Sequence, residues 1–156
     1  MNLEKTDYKT ALNDNGVITV VPKGNSMWPF IKGGKCTVII KKPISPINQL
    51  DVVLFQRENG DFVLHRVTKI DGEELVVKGD NFNYQENISS AQVLGVMEGF
   101  YYKNKYTASN DQKYIKRVRK WYKNTLCVKI KKGFFGLWQL KKRILTKIFA
   151  RKQKNV

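Results

Sequence analysis

Turn-forming residues interrupt this sequence roughly every eight to twelve positions through its first hundred residues, and that spacing leaves room for short strands and little else. Residues 17–22 (VITVVP) are β-branched and stop at Pro22. Residues 36–41 (CTVIIK) repeat the pattern until Pro43 and Pro46 break it. Residues 51–56 (DVVLFQ) lead through Asn59-Gly60, a two-residue hairpin signal, into residues 62–70 (FVLHRVTKI). Asp71-Gly72 turns the chain again, into residues 74–78 (ELVVK). Gly79 to Asn87 reads as a polar loop, and residues 93–97 (VLGVM) and 99–106 (GFYYKNKY) as the last strands. The pattern predicts an antiparallel, mainly β domain over residues 1–110.

After Asn110 the apolar period lengthens. Ile115, Val118, Tyr122 and Leu126 fall at helical spacing, as do Leu137, Ile144, Leu145, Ile148 and Phe149, with Gly133 and Gly136 between the two groups. The charge changes at the same place. The chain carries a net +16, yet residues 1–112 hold thirteen Lys/Arg against thirteen Asp/Glu, and residues 113–156 hold sixteen Lys/Arg and no acid. Residues 111–156 are therefore expected to form a basic amphipathic helical tail with a job of its own. Trp121, Phe134, Phe135 and Trp138 supply aromatics, and Arg143 and Lys147 charge, for an anionic membrane surface. Phosphate contacts with nucleic acid are the less favoured use of the same charge. In the second-ranked reading, after the membrane surface, the apolar stripe packs on the β domain and leaves its charges in water.

The sequence shows no secretory signal peptide, because Met1 to Asn15 is polar and of mixed charge. No apolar run approaches the ~20 residues of a spanning helix. The expected location is the cytoplasm or the periphery of the cytoplasmic membrane. Cys36 and Cys127 lack metal-ligand spacing and read as reduced thiols. No metal and no cofactor is expected.

Three places offer chemistry. Ser26 lies in a glycine- and proline-bounded loop, KGNSMWPFIKGG, where a hydroxyl is exposed and a backbone N–H is close by as an oxyanion donor. His65 is the sole histidine, so any neutral imidazole base must be this residue. Strand alternation puts Val63, His65 and Val67 on one face and Leu64, Arg66 and Thr68 on the other. Gly79-Asp80-Asn81 opens the polar loop that also contains Glu86. Taken singly, each has an ordinary reading: a turn serine, a structural histidine, an Asx-turn.

Their order is more specific. GNSMWPFIKGG, DVVLF, LHRV and KGDNF together resemble, in sequence order, the four boxes of type I signal peptidases and the related LexA-like self-cleaving proteins, over about residues 17–97. The resemblance implies the antiparallel β fold of that superfamily. It also implies a serine endopeptidase acting on a leader or signal peptide within a preprotein. Because His65 stands where the familiar bacterial enzymes carry lysine, the likeness is to the histidine-containing archaeal, sporulation and endoplasmic-reticulum branch. It makes Ser26 the nucleophile and His65 the general base. An acid of the last box supports the histidine: Glu86 is the expected partner, and Asp80 a structural or second helper. The oxyanion and substrate positions would be Gly24, Asn25, Ser26 and Met27.

Departures from the family pattern bear on rate and location. Gly24 stands where many relatives have a hydroxyl that helps bind the oxyanion, and the loss of one such donor costs ~10²–10³ in rate. Glu86 replaces an aspartate. The relatives' N-terminal membrane anchor is not seen, and the basic tail would take its place. The competing functions are a self-cleaving LexA-like regulator and a non-catalytic module that binds membrane or nucleic acid through its tail. The first is disfavoured because some sixteen residues precede the first predicted strand, too few for a DNA-binding domain.

Overall fold

The computed structural model describes residues 7–124. The chain divides into two compact units, Met1–Ile115 and Lys116–Val156. The first is built on one antiparallel sheet. Its elements are α1 (Asp7–Asn15), β1 (Val17–Val20), β2 (Cys36–Lys41), β3 (Val52–Gln56), β4 (Phe62–Asp71), β5 (Glu74–Lys78), β6 (Glu86–Ser89), β7 (Val93–Tyr102) and β8 (Lys105–Ala108), with a 3₁₀ turn at Ser90–Gln92. The strand order is β1-β2-β7-β3-β4-β5-β6, with β8 paired to β7.

The outer strands β1 and β2 alternate, burying Ile18, Val20, Cys36, Val38 and Ile40. The central strands do not. In β3 the run Val52 to Phe55 is buried throughout, and so is Leu64 to Val67 in β4, so both faces of the sheet are covered there. Val53, Phe55, Val67, Leu75, Val77 and Ile88 form the core on one face. Each such side chain contributes about 1.5–3 kcal/mol by leaving water. Cys36 is buried, and its sulfur accepts the Lys32 amide at 3.2 Å.

The mainly antiparallel β architecture agrees with the turn spacing, and four local expectations are corrected. The N-terminal stretch contains a helix, α1. Its Leu12 is 2% exposed, and its Tyr8 ring meets Phe62 edge-on at 5.3 Å. The first strand ends at Val20, before Val21 and Pro22. The expected loop from Gly79 to Asn87 gives way at Glu86 to β6, which pairs with β5 and buries Ile88 as its single core residue. Polar residues at the other three positions hid it. Finally, the two strands expected at 93–97 and 99–106 are one ten-residue strand followed by a hairpin, which turns at Lys103 and Asn104 with positive φ. Register shifts along β7, opposite Ile39/Ile40 and Leu54/Phe55, disturb its alternation.

A helix covers residues 112–124. Asp111 caps it, its carboxylate accepting the Tyr114 amide at 2.7 Å. Trp121 lies on this helix, half-buried. Cys127, Phe134, Phe135, Trp138, Arg143 and Lys147 lie outside the described residues. Among the described residues no helix is long and apolar enough to cross a membrane.

Candidate active site

The serine loop is held by its own backbone. The Trp28 amide donates to Asn25 O at 3.1 Å, Ile31 N to Met27 O at 2.9 Å, and Gly34 N to Pro22 O at 2.8 Å. A cis peptide joins Trp28 to Pro29. The loop closes so tightly that a Cβ on Gly33 would fall 1.8 Å from the Gly24 carbonyl oxygen, so only glycine fits there. Met27 is 2% exposed, so its side chain packs inside and only its backbone is left to face the cavity side of the loop. Gly24 and Asn25 are exposed.

A cavity of about 460 Å³ opens beside this loop. Of Gly24, Asn25, Ser26 and Met27, it is Ser26 that lines it, together with His65. Tyr8, Leu54, Phe62, Phe82 and Tyr84 supply apolar wall, and Lys23, Arg57 and Asp61 supply charge. Backbone contacts bring the serine loop to the imidazole. The Asn81 amide donates to the Ser26 carbonyl at 2.8 Å. A Cβ added to Gly79 would lie 2.9 Å from that same carbonyl oxygen and 3.1 Å from His65 Nε2. The absence of a side chain at Gly79 is what lets the two approach. Among the described residues, no hydrogen bond joins Ser26 Oγ to Nε2.

Register explains which acid reaches the histidine. Val53 pairs with His65, Val67 with Val77, and Val77 with Glu86, so Glu86 shares a sheet face with His65. Glu86 Oε1 stands 3.1 Å from His65 Nδ1. The contact is off the ring N–H axis, and this buried nitrogen makes no aligned hydrogen bond. Arg57, just after β3, grips the same carboxylate, with Nε to Oε2 and Nη2 to Oε1 both at 2.7 Å. Phe82 meets the imidazole edge-on at 6.1 Å.

Of the two roles expected for Asp80, structural or second helper, its bonds fit the structural one. Its two carboxylate oxygens accept from Arg66, at 2.8 and 2.7 Å, in a buried pair. Arg66 also donates to the Tyr114 hydroxyl at 2.9 Å and to the Leu50 carbonyl at 2.8 Å. Alternation along β4 separates this cluster from the one around His65.

Burial pushes the His65 pKa below its ordinary value, with Arg57 acting in the same sense, and the nearby carboxylates of Glu86 and Asp80 only partly oppose this. The imidazole is therefore neutral at pH 7. Burial would raise Glu86, but the Arg57 guanidinium, with help from His65, overcomes it and holds the carboxyl below the usual range. The Arg57 guanidinium is itself raised by its bonds to Glu86. Burial would lower Arg66, and Asp80 with Tyr114 reverses this. The arrangement offers a neutral base with its outer nitrogen toward the serine loop and an ionised acid on its inner one.

A scan against protein-family models matches none of them, and a search of curated proteins returns no relative. Sequence reasoning missed Arg57, which follows a strand and precedes a turn without any distinguishing pattern. It also missed Tyr8, Phe82 and Tyr84, which gather at the cavity through tertiary contacts.

Proposed function

We propose that the chain is a serine endopeptidase of the signal-peptidase type, with the LexA-like fold of that superfamily. The observation that carries this reading is that Ser26 and His65 line one cavity while Glu86 stands at the far nitrogen of the same imidazole. In the proposed reaction His65 Nε2 takes the Ser26 proton as Oγ attacks a scissile carbonyl, forming a tetrahedral oxyanion. The Ser26 amide faces that oxyanion. Glu86 stabilises the imidazolium. The intermediate collapses to an acyl-serine as Nε2 returns the proton to the leaving amine. Water, deprotonated by the same nitrogen, then hydrolyses the ester.

The substrate class is an extended leader or signal peptide, bound by main-chain hydrogen bonds along the cavity. The basic tail would hold the enzyme at an anionic membrane surface. Fluorophosphonate labelling of the full chain tests the reading. Expected is a single adduct on Ser26, lost in Ser26→Ala and suppressed in His65→Ala. An unlabelled wild-type chain, or full labelling of His65→Ala, overturns it.

One observation favours a second reading, a non-catalytic binding module: the Oγ–Nε2 hydrogen bond is not formed among the described residues. Catalytic bonds of this kind often close only on binding substrate. The same labelling separates the two.

A further inference from the structure

The carboxylate beside His65 is not positioned by its own strand alone. Glu86 sits at the first residue of β6, a four-residue strand on the sheet edge, where the backbone gives little hold. Its side chain is 22% exposed, so solvent competes for both oxygens. Arg57 occupies them both, in the parallel two-bond geometry that a planar guanidinium makes with a carboxylate. One of those oxygens, Oε1, is the atom that faces Nδ1. We infer that Arg57 is a positioning residue, which acts on His65 through Glu86 by fixing where the carboxylate stands against the imidazole.

The inference rests on the peptidase reading and deepens it. Arg57 touches neither Ser26 Oγ nor the imidazole in its bonding, so its positioning effect passes through the acid. It has two components. The grip orients Oε1, and the positive charge opposes protonation of His65. The groups that face this cluster are few. Glu86 comes from β6 and Arg57 from the end of β3. Asp80, after β5, adds a negative charge, though its carboxylate is engaged by Arg66. Asp61 and Tyr84 act on Arg57 from the cavity wall. None of them holds Glu86 in place of Arg57.

Because His65 is the sole histidine, its ring resonances report the site without assignment and without requiring activity. The experiment titrates those resonances in the full chain, and measures fluorophosphonate labelling of Ser26 at pH 8, where the imidazole is neutral. In Arg57→Met the histidine is expected to titrate at higher pH than in wild type, and labelling to fall about a hundredfold through misplacement of the acid. Arg57→Lys keeps the charge but not the two-bond grip. It is expected to return the titration toward wild type while leaving most of the labelling loss. Glu86→Gln removes the carboxylate and keeps Arg57, so its histidine is expected to titrate lower than wild type.

An unmoved titration in Arg57→Met overturns the inference, and so does labelling equal to wild type in a folded Arg57→Met chain. Should Arg57→Met fail to fold, Arg57→Lys decides by labelling, and wild-type labelling there overturns it. An unlabelled wild-type chain fails the peptidase reading instead, and leaves the titrations to decide the coupling of Arg57 to His65.

Discussion

The backbone amide of Asn81 donates to the carbonyl of Ser26 at 2.8 Å, which ties the loop after β5 to the loop that carries the hydroxyl. Gly79 sits at that seam. Gly79→Ala would put a methyl 2.9 Å from the Ser26 carbonyl and from the Phe82 ring, and 3.1 Å from His65 Nε2. Overpacking of this kind costs about 1–3 kcal/mol. The expected outcome is a protein that still melts cooperatively, with Ser26 labelling reduced about a hundredfold by the displaced loop. Labelling at the wild-type rate would mean that the seam does not set the approach of serine to histidine.

The pH dependence follows from two depressed pKa values. His65 is held below its ordinary 6.5 mainly by burial, so the free base persists as the solution is acidified past pH 6.5. Labelling should be flat across neutral pH and fall with a single ionisation on the acid side of 6.5. Stability takes the same sign. The unfolded chain binds a proton at His65 more readily than the folded one, so that contribution is whole above pH 6.5 and lost as pH falls through the folded value. Glu86, also depressed, contributes above its ordinary 4.5 and is lost below its folded value. The urea midpoint should therefore fall on acidification in two stages. A midpoint that rises between pH 7 and pH 5 contradicts the His65 direction, and one that rises on acidification below pH 4.5 contradicts that of Glu86.

Asp80→Asn leaves the Arg66 guanidinium, 1% exposed, without its counter-charge. Breaking a buried pair by removing one partner costs about 3–5 kcal/mol. Urea denaturation should show a loss of that size. The double replacement Arg66→Met with Asp80→Leu should cost less than the sum of its single changes, because no buried charge remains. Additive losses would mean that the two side chains are not coupled.

Leu12→Ala removes the buried anchor of α1 and should destabilise by about 2–5 kcal/mol, read by thermal or urea unfolding. A loss under about half a kcal/mol would fit an exposed position instead.

The tail makes a separate prediction. Full-length protein should cosediment with vesicles containing anionic lipid and be released as salt rises, with neutral vesicles binding weakly. Equal retention on neutral and anionic vesicles would remove the proposed electrostatic anchor.

The strands were legible where one rule governed them. In CTVIIK and ELVVK, β-branched residues and flanking turns agree, and the observed limits match the residues expected. The helix α1 was hidden because its single deep apolar residue, Leu12, makes no periodic stripe. β6 was hidden because it lies on the edge with one buried side chain. At the site, the sequence order supplied Ser26, His65 and the choice between two acids. It favoured Glu86 but could not show the packing that sets Glu86 at His65 Nδ1 and Asp80 against Arg66. Nor could it reveal Arg57, whose value lies in a partner 29 positions away.

His65 and Arg66 are neighbours in the chain that serve opposite sides of one sheet. A slip of β4 by a single position would therefore exchange their surroundings, lodging a guanidinium in the cleft and stranding an imidazole against Asp80. The proposed hydrolysis and the cohesion of the sheet would be lost together. The pairing of β4 with β5 places its irregularity between Val67 and Lys69, after both residues have been seated. The strand can thus absorb twist toward its far end while keeping the two adjacent side chains in their separate compartments.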